Sequence, residues 1–488
     1  MRTLKDIRPE VWFLLLLAGL LYGYVVCRAY FVGITHDEAF TYNWYVPQSA
    51  VQVITYDIFP VTPNNHILNT LLVKGFAQFG QHPFWLRLPT LLFFGVFLLV
   101  SVRWLLQGKQ PFLAVPGMLL LLGNPYLLDF FGLARGYGMG LTLMFLACLA
   151  LFQYRRQPAP RRVWFIFGAA LLSVEANMIL LHFYFALCMV FLLVFLGLRR
   201  EGEVSGWKQF LAHLQPMVWS SLLLGLLLAE PIDKIAHSGQ LTGGDTGFWQ
   251  DTVRSLLQQT LYEQPYAAAV MPWLNAALVL LLVLLTGTVF FLLVREGWRA
   301  LQQPFVLIFF ILVVSASSII VQHHLFHSPY LRERMGLFYL ILFSMAFIAW
   351  LPIVAQRAKN LVLAGAILPA LLLAVHLVRS ANTRFALEWR YDCNTLDMLH
   401  YLDGLVQKDS AVARPVRLGI NPVFTPSINF YRDTQGFDWL EPAHVDGFEK
   451  EKTYQWGYIL PPDLENASRR LNGKVLKTFE PSGALLVQ

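Results

Sequence analysis

Apolar runs of membrane-crossing length constrain this chain more than any other feature. About eleven of them lie near residues 11–31, 86–106, 112–128, 136–154, 163–176, 178–198, 216–230, 272–294, 304–321, 335–354 and 360–378. A helix needs about 20 such residues to cross the hydrocarbon core of a bilayer. The predicted fold class is therefore an all-α polytopic membrane domain over residues 1–378. Composition agrees: 56% of the residues are hydrophobic and 14% charged, where soluble domains average about 45–50% and about 25%. Disorder, a fibrous chain and a disulfide scaffold are excluded. Cys27, Cys148 and Cys188 sit in apolar runs and Cys393 is isolated, so no disulfide, CxxC or metal spacing is expected. The first apolar run continues past Val11 without a cleavage pattern and reads as a membrane span rather than a signal peptide.

The net charge of +7 carries no nucleic-acid signal. Its basic residues instead mark alternate loops: Arg2, Lys5 and Arg8; Lys109; Arg155, Arg156, Arg161 and Arg162; Arg199, Arg200 and Lys208; Arg295 and Arg299; Arg357 and Lys359. By the positive-inside rule this side is cytoplasmic. The other side receives residues 32–85, 129–135, 231–271, 322–334 and everything after about 379. The first outer loop, about 32–85, holds an aromatic stretch from Ala39 to Pro47. A helical pattern of Ile67, Leu68, Leu71, Leu72, Gly75, Phe76 and Phe79 follows it. These pieces fit amphipathic helices on the membrane surface, with the aromatic rings as interfacial anchors.

Residues 379–488 are soluble in character. Strand-like runs (Pro415–Ile420, Trp456–Leu460, Val475–Phe479, Ala484–Val487) alternate with helix-like ones (Leu396–Val406, Pro462–Leu471), predicting a small α/β extracytoplasmic domain. It has no phosphate loop and no zinc spacing, and reads as a cover or acceptor-side domain without chemistry of its own. Asn466-Ala-Ser468 fits a glycosylation sequon.

Chemistry-bearing residues gather in the outer loops. Thr35-His36-Asp37-Glu38 follows the first span. Thr35 and Glu38 match a capping box, and acids favour a first helical turn; the same acids suit a general base placed where a lipid head group meets an acceptor. The run Asp129 to Tyr137 puts Arg135 at a helix start, able either to snorkel to lipid phosphate or to fork onto a substrate phosphate. His323 and His327 are spaced for a metal on one helix, though no acid matches them. Arg332 and Arg334 suit a phosphate clamp better, with Glu333 as a competing partner. His66, Lys74, Tyr137, Glu175, Asn177 and Glu230 are further polar groups near the outer face. A carboxylate, several arginines and an aromatic loop would suit a lipid-linked phosphosugar: phosphate on the arginines, sugar on the loop, proton to the acid.

The blocks HDEAFTY, PNNHILNTLL, FWLRLPTLLFFGVFLL, LARGYGMGLTLMFLACLAL and SPYLRERMGLFYLILFSMAF, in this order over about residues 5–355, resemble the GT-C membrane glycosyltransferases of the family 39 type. That type includes protein O-mannosyltransferases and aminoarabinose transferases. The resemblance implies a polyprenyl-phosphate-linked sugar donor, inverting transfer on the extracytoplasmic side, and a bacterial inner-membrane setting. The acceptor would be a glycan, a lipid or a protein. Asp37 would be the base and Glu38 its orienting or acceptor-binding neighbour. Arg135 with Arg332 or Arg334 would bind the donor phosphate, and His66, Lys74, Tyr137, Glu175 and Asn177 are possible substrate contacts. The RERMGLFY block departs from the Arg-Tyr pair usual in relatives, which leaves open which arginine touches phosphate. The first loop has no DxD, so no metal or other cofactor is expected. Two other functions share the features: a flippase of lipid-linked sugars, for which the inverted repeats and mid-span charges of transporters are missing, and a lipid-pyrophosphate glycan ligase.

Overall fold

The computed structural model describes residues 9–108, 110–356, 358–408, 414–448, 452–471 and 473–488. Arg2, Lys5, Arg8, Lys109 and Arg357 of the charge pattern lie outside them. The elements in order are α1 (Pro9–Phe31), α2 (His36–Phe40), α3 (Ala50–Thr55), α4 (Ile67–Phe76), α5 (Pro83–Leu106), α6 (Ala114–Leu122), α7 (Pro125–Asp129), α8 (Gly136–Arg156), α9 (Pro160–Ala176), α10 (Leu181–Arg200) and α11 (Trp207–His237). Then come α12 (Ser255–Thr260), α13 (Ala267–Glu296), α14 (Pro304–Phe326), α15 (Leu337–Ala355), α16 (Lys359–Ser380), α17 (Thr395–Lys408), β1 (Leu418–Ile420), α18 (Thr425–Gln435), β2 (Trp456–Ile459), α19 (Leu464–Ser468), β3 (Val475–Phe479) and β4 (Ala484–Val487).

Ten of the eleven expected spans coincide with helices. Among the described residues nine helices are individually long and apolar enough to cross a bilayer. The other two expected spans are the 17-residue α9 and the 112–128 segment, which is broken. Gly123 and Asn124 interrupt that segment, and Asn124 caps the start of α7 through its side chain. The chain is an integral membrane protein whose α8 is its axis. Of its apolar window 89% is buried, against 17% for α13 and for α16. The peripheral helices turn Val283, Phe290, Val294, Leu372 and Val378 outward, as lipid-facing surfaces require. Glycine lets α8 run close to its neighbours. A Cβ on Gly136 would stand 1.7 Å from the Ala176 carbonyl oxygen, and one on Gly140 would stand 2.7 Å from Leu180; small residues permit such approach.

Loop connections alternate between the two ends of the bundle. At the basic end, Arg155 pairs with Glu201 at 2.7 Å, and Arg200 lies over the Trp298 ring. The opposite end gathers the first loop, residues 123–135 and the chain after α16.

That last part carries a four-stranded sheet in the order β1-β2-β4-β3. β1 pairs with β2 in parallel; the other two pairings are antiparallel. The four expected strands and two expected helices are present, and α18 is an addition. Its few apolar residues, Ile428, Phe430 and Tyr431, are buried. α18 packs on α2. One apolar cluster joins Ile34, Ala39, Leu86 and Ala134 to Met398, Leu402, Phe430 and Tyr431. Tyr431 Oη accepts from the Ile34 N–H at 2.8 Å. Of the loop aromatics, Tyr42 joins this docking, meeting Phe430 edge-on at 4.9 Å, while Tyr45 is fully buried within the loop, its hydroxyl 2.8 Å from Thr62 Oγ1.

A buried ion pair ties the segment after α16 to the bundle. Arg28 of α1 donates to Asp129 of α7 at 2.6 Å and to the Asn382 and Phe385 carbonyls at 2.6 and 2.9 Å. Asp129 also accepts from the Leu387 N–H at 2.9 Å and from the Tyr262 hydroxyl. Removing one partner of such a pair strands the other charge. Asp129→Ala is expected to destabilise the protein by about 3–5 kcal/mol, seen as a lower melting temperature in detergent. An unchanged melting temperature would refute this account of the tie.

Candidate functional site

The site grows from the four residues after α1. Thr35 is the N-cap of α2, and a full capping box forms: its side chain accepts from the Glu38 N–H, and Glu38 accepts from the Thr35 N–H at 3.1 Å. Glu38 is further consumed by Arg87 of α5, which donates at 2.8 Å through Nε and 2.6 Å through Nη2. Both side chains are fully buried. The remaining Arg87 donors go to the carbonyls of Ala29, Val32 and Gly33, at 3.1, 2.6 and 2.7 Å. Glu38 Oε1 also accepts from the Ala134 N–H at 2.6 Å. Burial raises the Glu38 pKa, but Arg87 and these hydrogen bonds outweigh it and hold the group below its ordinary value. Glu38 thus has no free face for an acceptor.

With Glu38 fixed, Asp37 points the other way, toward two arginines. Arg135 Nη2 lies 3.2 Å and Arg334 Nη2 3.5 Å from Asp37 Oδ2. Burial pushes the Asp37 carboxyl up, yet Arg135 and then Arg334 outweigh it, and its pKa falls to about 2. Backbone contacts fix its frame: Asn64 Nδ2 donates to the Asp37 carbonyl at 3.2 Å, and Arg135 Nη1 to the Asn64 carbonyl at 3.3 Å. Arg135 immediately precedes α8, as expected, but its side chain is 2% exposed and does not snorkel.

The structure brings together several of the sequence-derived candidates. His66 is buried at the N-cap of α4 with its ring against Tyr137 at 5.3 Å. Its imidazole is neutral: burial, then Arg135, hold its pKa well below the ordinary value. Tyr137, Asn177 and Arg334 line one small pocket with Leu141, Leu180 and Phe338. Buried polar atoms without a protein partner include His66 Nε2, Arg135 Nε and Glu175 Oε1, an arrangement suited to a polar ligand.

Other candidates fall elsewhere. Lys74 is spent on the Val46 and Gln48 carbonyls, at 2.6 and 2.9 Å. Arg332 is exposed and acts electrostatically on Asp251. Glu230 pairs with Lys234 at 2.7 Å on an exposed stretch of α11. α14 ends at Phe326 and His327 is left-handed, while His323 bonds the Ser328 carbonyl at 2.9 Å, so the two do not sit on successive turns of one helix. Sequence reasoning passed over Arg87, whose signal was an arginine inside an apolar span, a position that demands a partner. It also passed over Glu388 and Trp389, which meet Arg334 from the chain after α16.

No protein-family profile and no curated protein matches the sequence. Among solved structures, ArnT from Cupriavidus metallidurans in the apo state covers 98% of this chain and 97% of its own, with a TM-score of 0.51 and 11% identity. The same protein bound to undecaprenyl phosphate matches over the same lengths at a TM-score of 0.51 and 12% identity. The arabinosyltransferase EmbB from Mycobacterium smegmatis overlaps 89% of this chain at a TM-score of 0.38. The chain has the ArnT fold. The likeness runs over nearly the whole of both chains, as the resemblance of the sequence blocks implied for the fold.

The pairing of Asp37 makes its ionisation a reporter of the site. A carboxyl whose folded pKa lies below its unfolded value of about 3.9 adds stability that is complete above that value. This contribution is lost as pH falls through about 2. The stability difference between the wild type and Asp37→Asn is expected to stay constant above about pH 5 and to shrink as pH drops toward 2. A difference that instead shrank between pH 5 and 7 would show that the carboxylate is not held by its arginines.

Proposed function

We propose that this protein is an integral-membrane glycosyltransferase that moves a sugar from a polyprenyl-phosphate carrier to an acceptor hydroxyl, with inversion, using Asp37 as general base. The observation that carries the reading is the buried Asp37 set between Arg135 and Arg334, in a fold shared with ArnT, whose own structure holds undecaprenyl phosphate. Positive-inside charge supports an extracytoplasmic site in an inner membrane, with residues 1–378 as the catalytic membrane domain and 379–488 outside it.

The chemistry follows from the charges. The donor phosphodiester carries one negative charge, and the leaving polyprenyl phosphate carries a second as the bond from the anomeric carbon to phosphate oxygen breaks. Two guanidiniums are suited to that growing charge. The acceptor oxygen attacks from the opposite face and its proton passes to Asp37. At rest Asp37 is a weak base, because both arginines lean on it. A donor phosphate draws those cations onto itself, so the pKa of Asp37 rises only when the donor is in place. The base is thereby switched on by the substrate that needs it. Glu38 serves as a positioning residue through Arg87. His66 and Glu175, each with an unpartnered buried polar atom, and Tyr137 and Asn177, which line the pocket with Arg334, are the candidates to meet the sugar or the phosphate.

A panel of polyprenyl-monophosphate sugars, offered to detergent-purified protein with crude envelope acceptor, tests this by release of polyprenyl phosphate. One donor should turn over, and Asp37→Asn should lower that rate about 10²–10⁴-fold while leaving undecaprenyl phosphate binding in place. Arg135→Ala should weaken donor binding. Full turnover by Asp37→Asn would end the base assignment. Movement of the lipid-linked sugar across liposomes without turnover would favour a flippase instead.

A further inference from the structure

Arg334 is held from behind by residues outside the membrane bundle. Its Nη1 forms an ion pair with Glu388, and its guanidinium lies 5.2 Å from the centroid of the Trp389 ring. Glu388 is itself gripped by the buried Tyr126 hydroxyl at the start of α7. Both residues belong to the short 3₁₀ segment Leu387–Asp392, whose first N–H is fixed by Asp129 at 2.9 Å. The turn presenting Arg334 is also unusual: Glu333 adopts a φ of 51°, and its N–H donates to Ser255 Oγ at 2.9 Å. A non-glycine residue in that region costs energy and persists only where its surroundings enforce it. Arg334 is therefore a guanidinium with one terminal nitrogen toward Asp37, the other on Glu388 and the Trp389 ring nearby. It remains 33% exposed, and it lines the pocket it shares with Tyr137 and Asn177.

We infer that Glu388, supported by Trp389, is a positioning residue for the donor-phosphate arginine, so that the chain after the last span completes the catalytic site. This goes further than a cover domain without chemistry of its own, and it rests on the donor reading above. The logic is geometric. A long, flexible arginine loses side-chain entropy when it is fixed. An arginine already immobilised by a carboxylate and a ring loses less of it when phosphate arrives. Glu388 also keeps Arg334 from collapsing fully onto Asp37, since the two carboxylates take different nitrogens of one guanidinium.

The test uses the full-length protein in detergent, with undecaprenyl phosphate as the titrated ligand and melting temperature read in parallel. Glu388→Gln, which keeps the size and the Tyr126 contact, should raise Kd roughly tenfold, within the range of coupling for residues in one ion-pair network. In an Arg334→Ala background the same change should add nothing. Trp389→Leu, which removes the ring without touching the ion pair, should shift Kd the same way and likewise lose its effect in Arg334→Ala. Binding by Glu388→Gln equal to wild type would overturn the inference while leaving the donor reading intact. So would losses that add to Arg334→Ala and track a falling melting temperature, as a merely structural role would give. A wild type that does not bind undecaprenyl phosphate would overturn both.

Discussion

The Glu38–Arg87 ion pair is the contact on which the site depends. Two fully buried charges are costly to hold away from water unless every lone pair and donor is met, and here they are. Arg87 closes the end of α1 through three carbonyls, while Glu38 closes the start of α2 and reaches the Ala134 N–H just before Arg135. One pair thus fixes α1, α2, α5 and the entry to α8 relative to each other. Asp37 and Arg135, each one residue from a clamped neighbour, inherit their positions. The capping box and the ion pair use the same carboxylate. The helix-start role of this acid pair and its proposed catalytic role are therefore divided between Glu38 and Asp37 rather than competing for one residue.

A second buried pair, Arg28–Asp129, does for the chain after α16 what the first does for the loop. It draws Asn382, Phe385 and Leu387 onto α1 and α7. The terminal sheet then closes over α2 through α18 and Tyr431. Both anchors place an arginine from within or beside a membrane helix against chain that has left the membrane. In a low-dielectric setting such pairs are strong and hard to rearrange, which gives this loop-built candidate site its rigidity.

Much of this was legible in the residues. Apolar runs of fixed length gave the helices, because a bilayer imposes that length on any chain crossing it. Thr35-x-x-Glu38 gave its cap, because a capping box is a local affair of four residues. Short strand-like runs matched β3 and β4 to the residue. The helix α18 was missed because TPSINFYRDTQ is polar on average and its few apolar side chains suit many conformations. The break between α6 and α7 was missed because Gly123 and Asn124 interrupt a run that remains apolar overall. Arg334 could not be separated from Arg332 by spacing alone. What separates them is Glu388, 54 residues further on, and only the folded chain brings such distant charges together.

The charges at the site also account for why these groups occur together. Arg135 and Arg334 carry two positive charges, and Asp37 and Glu388 two negative ones. A phosphodiester donor brings the total to minus one. In the proposed transfer the phosphate would gain a negative charge as Asp37 gains a proton, so the total would not change while the sugar moves. Charge migrates from the carboxylate to the phosphate across guanidiniums that touch the former and are free to touch the latter. A site buried from water cannot rely on solvent to stabilise a large change in net charge. An arrangement in which the change is internal, with the cations fixed between its start and its finish, lowers the reorganisation that the transition state demands. Glu388 matters in this scheme because its own ion pair with Arg334 keeps that cation in place after Asp37 has taken the proton.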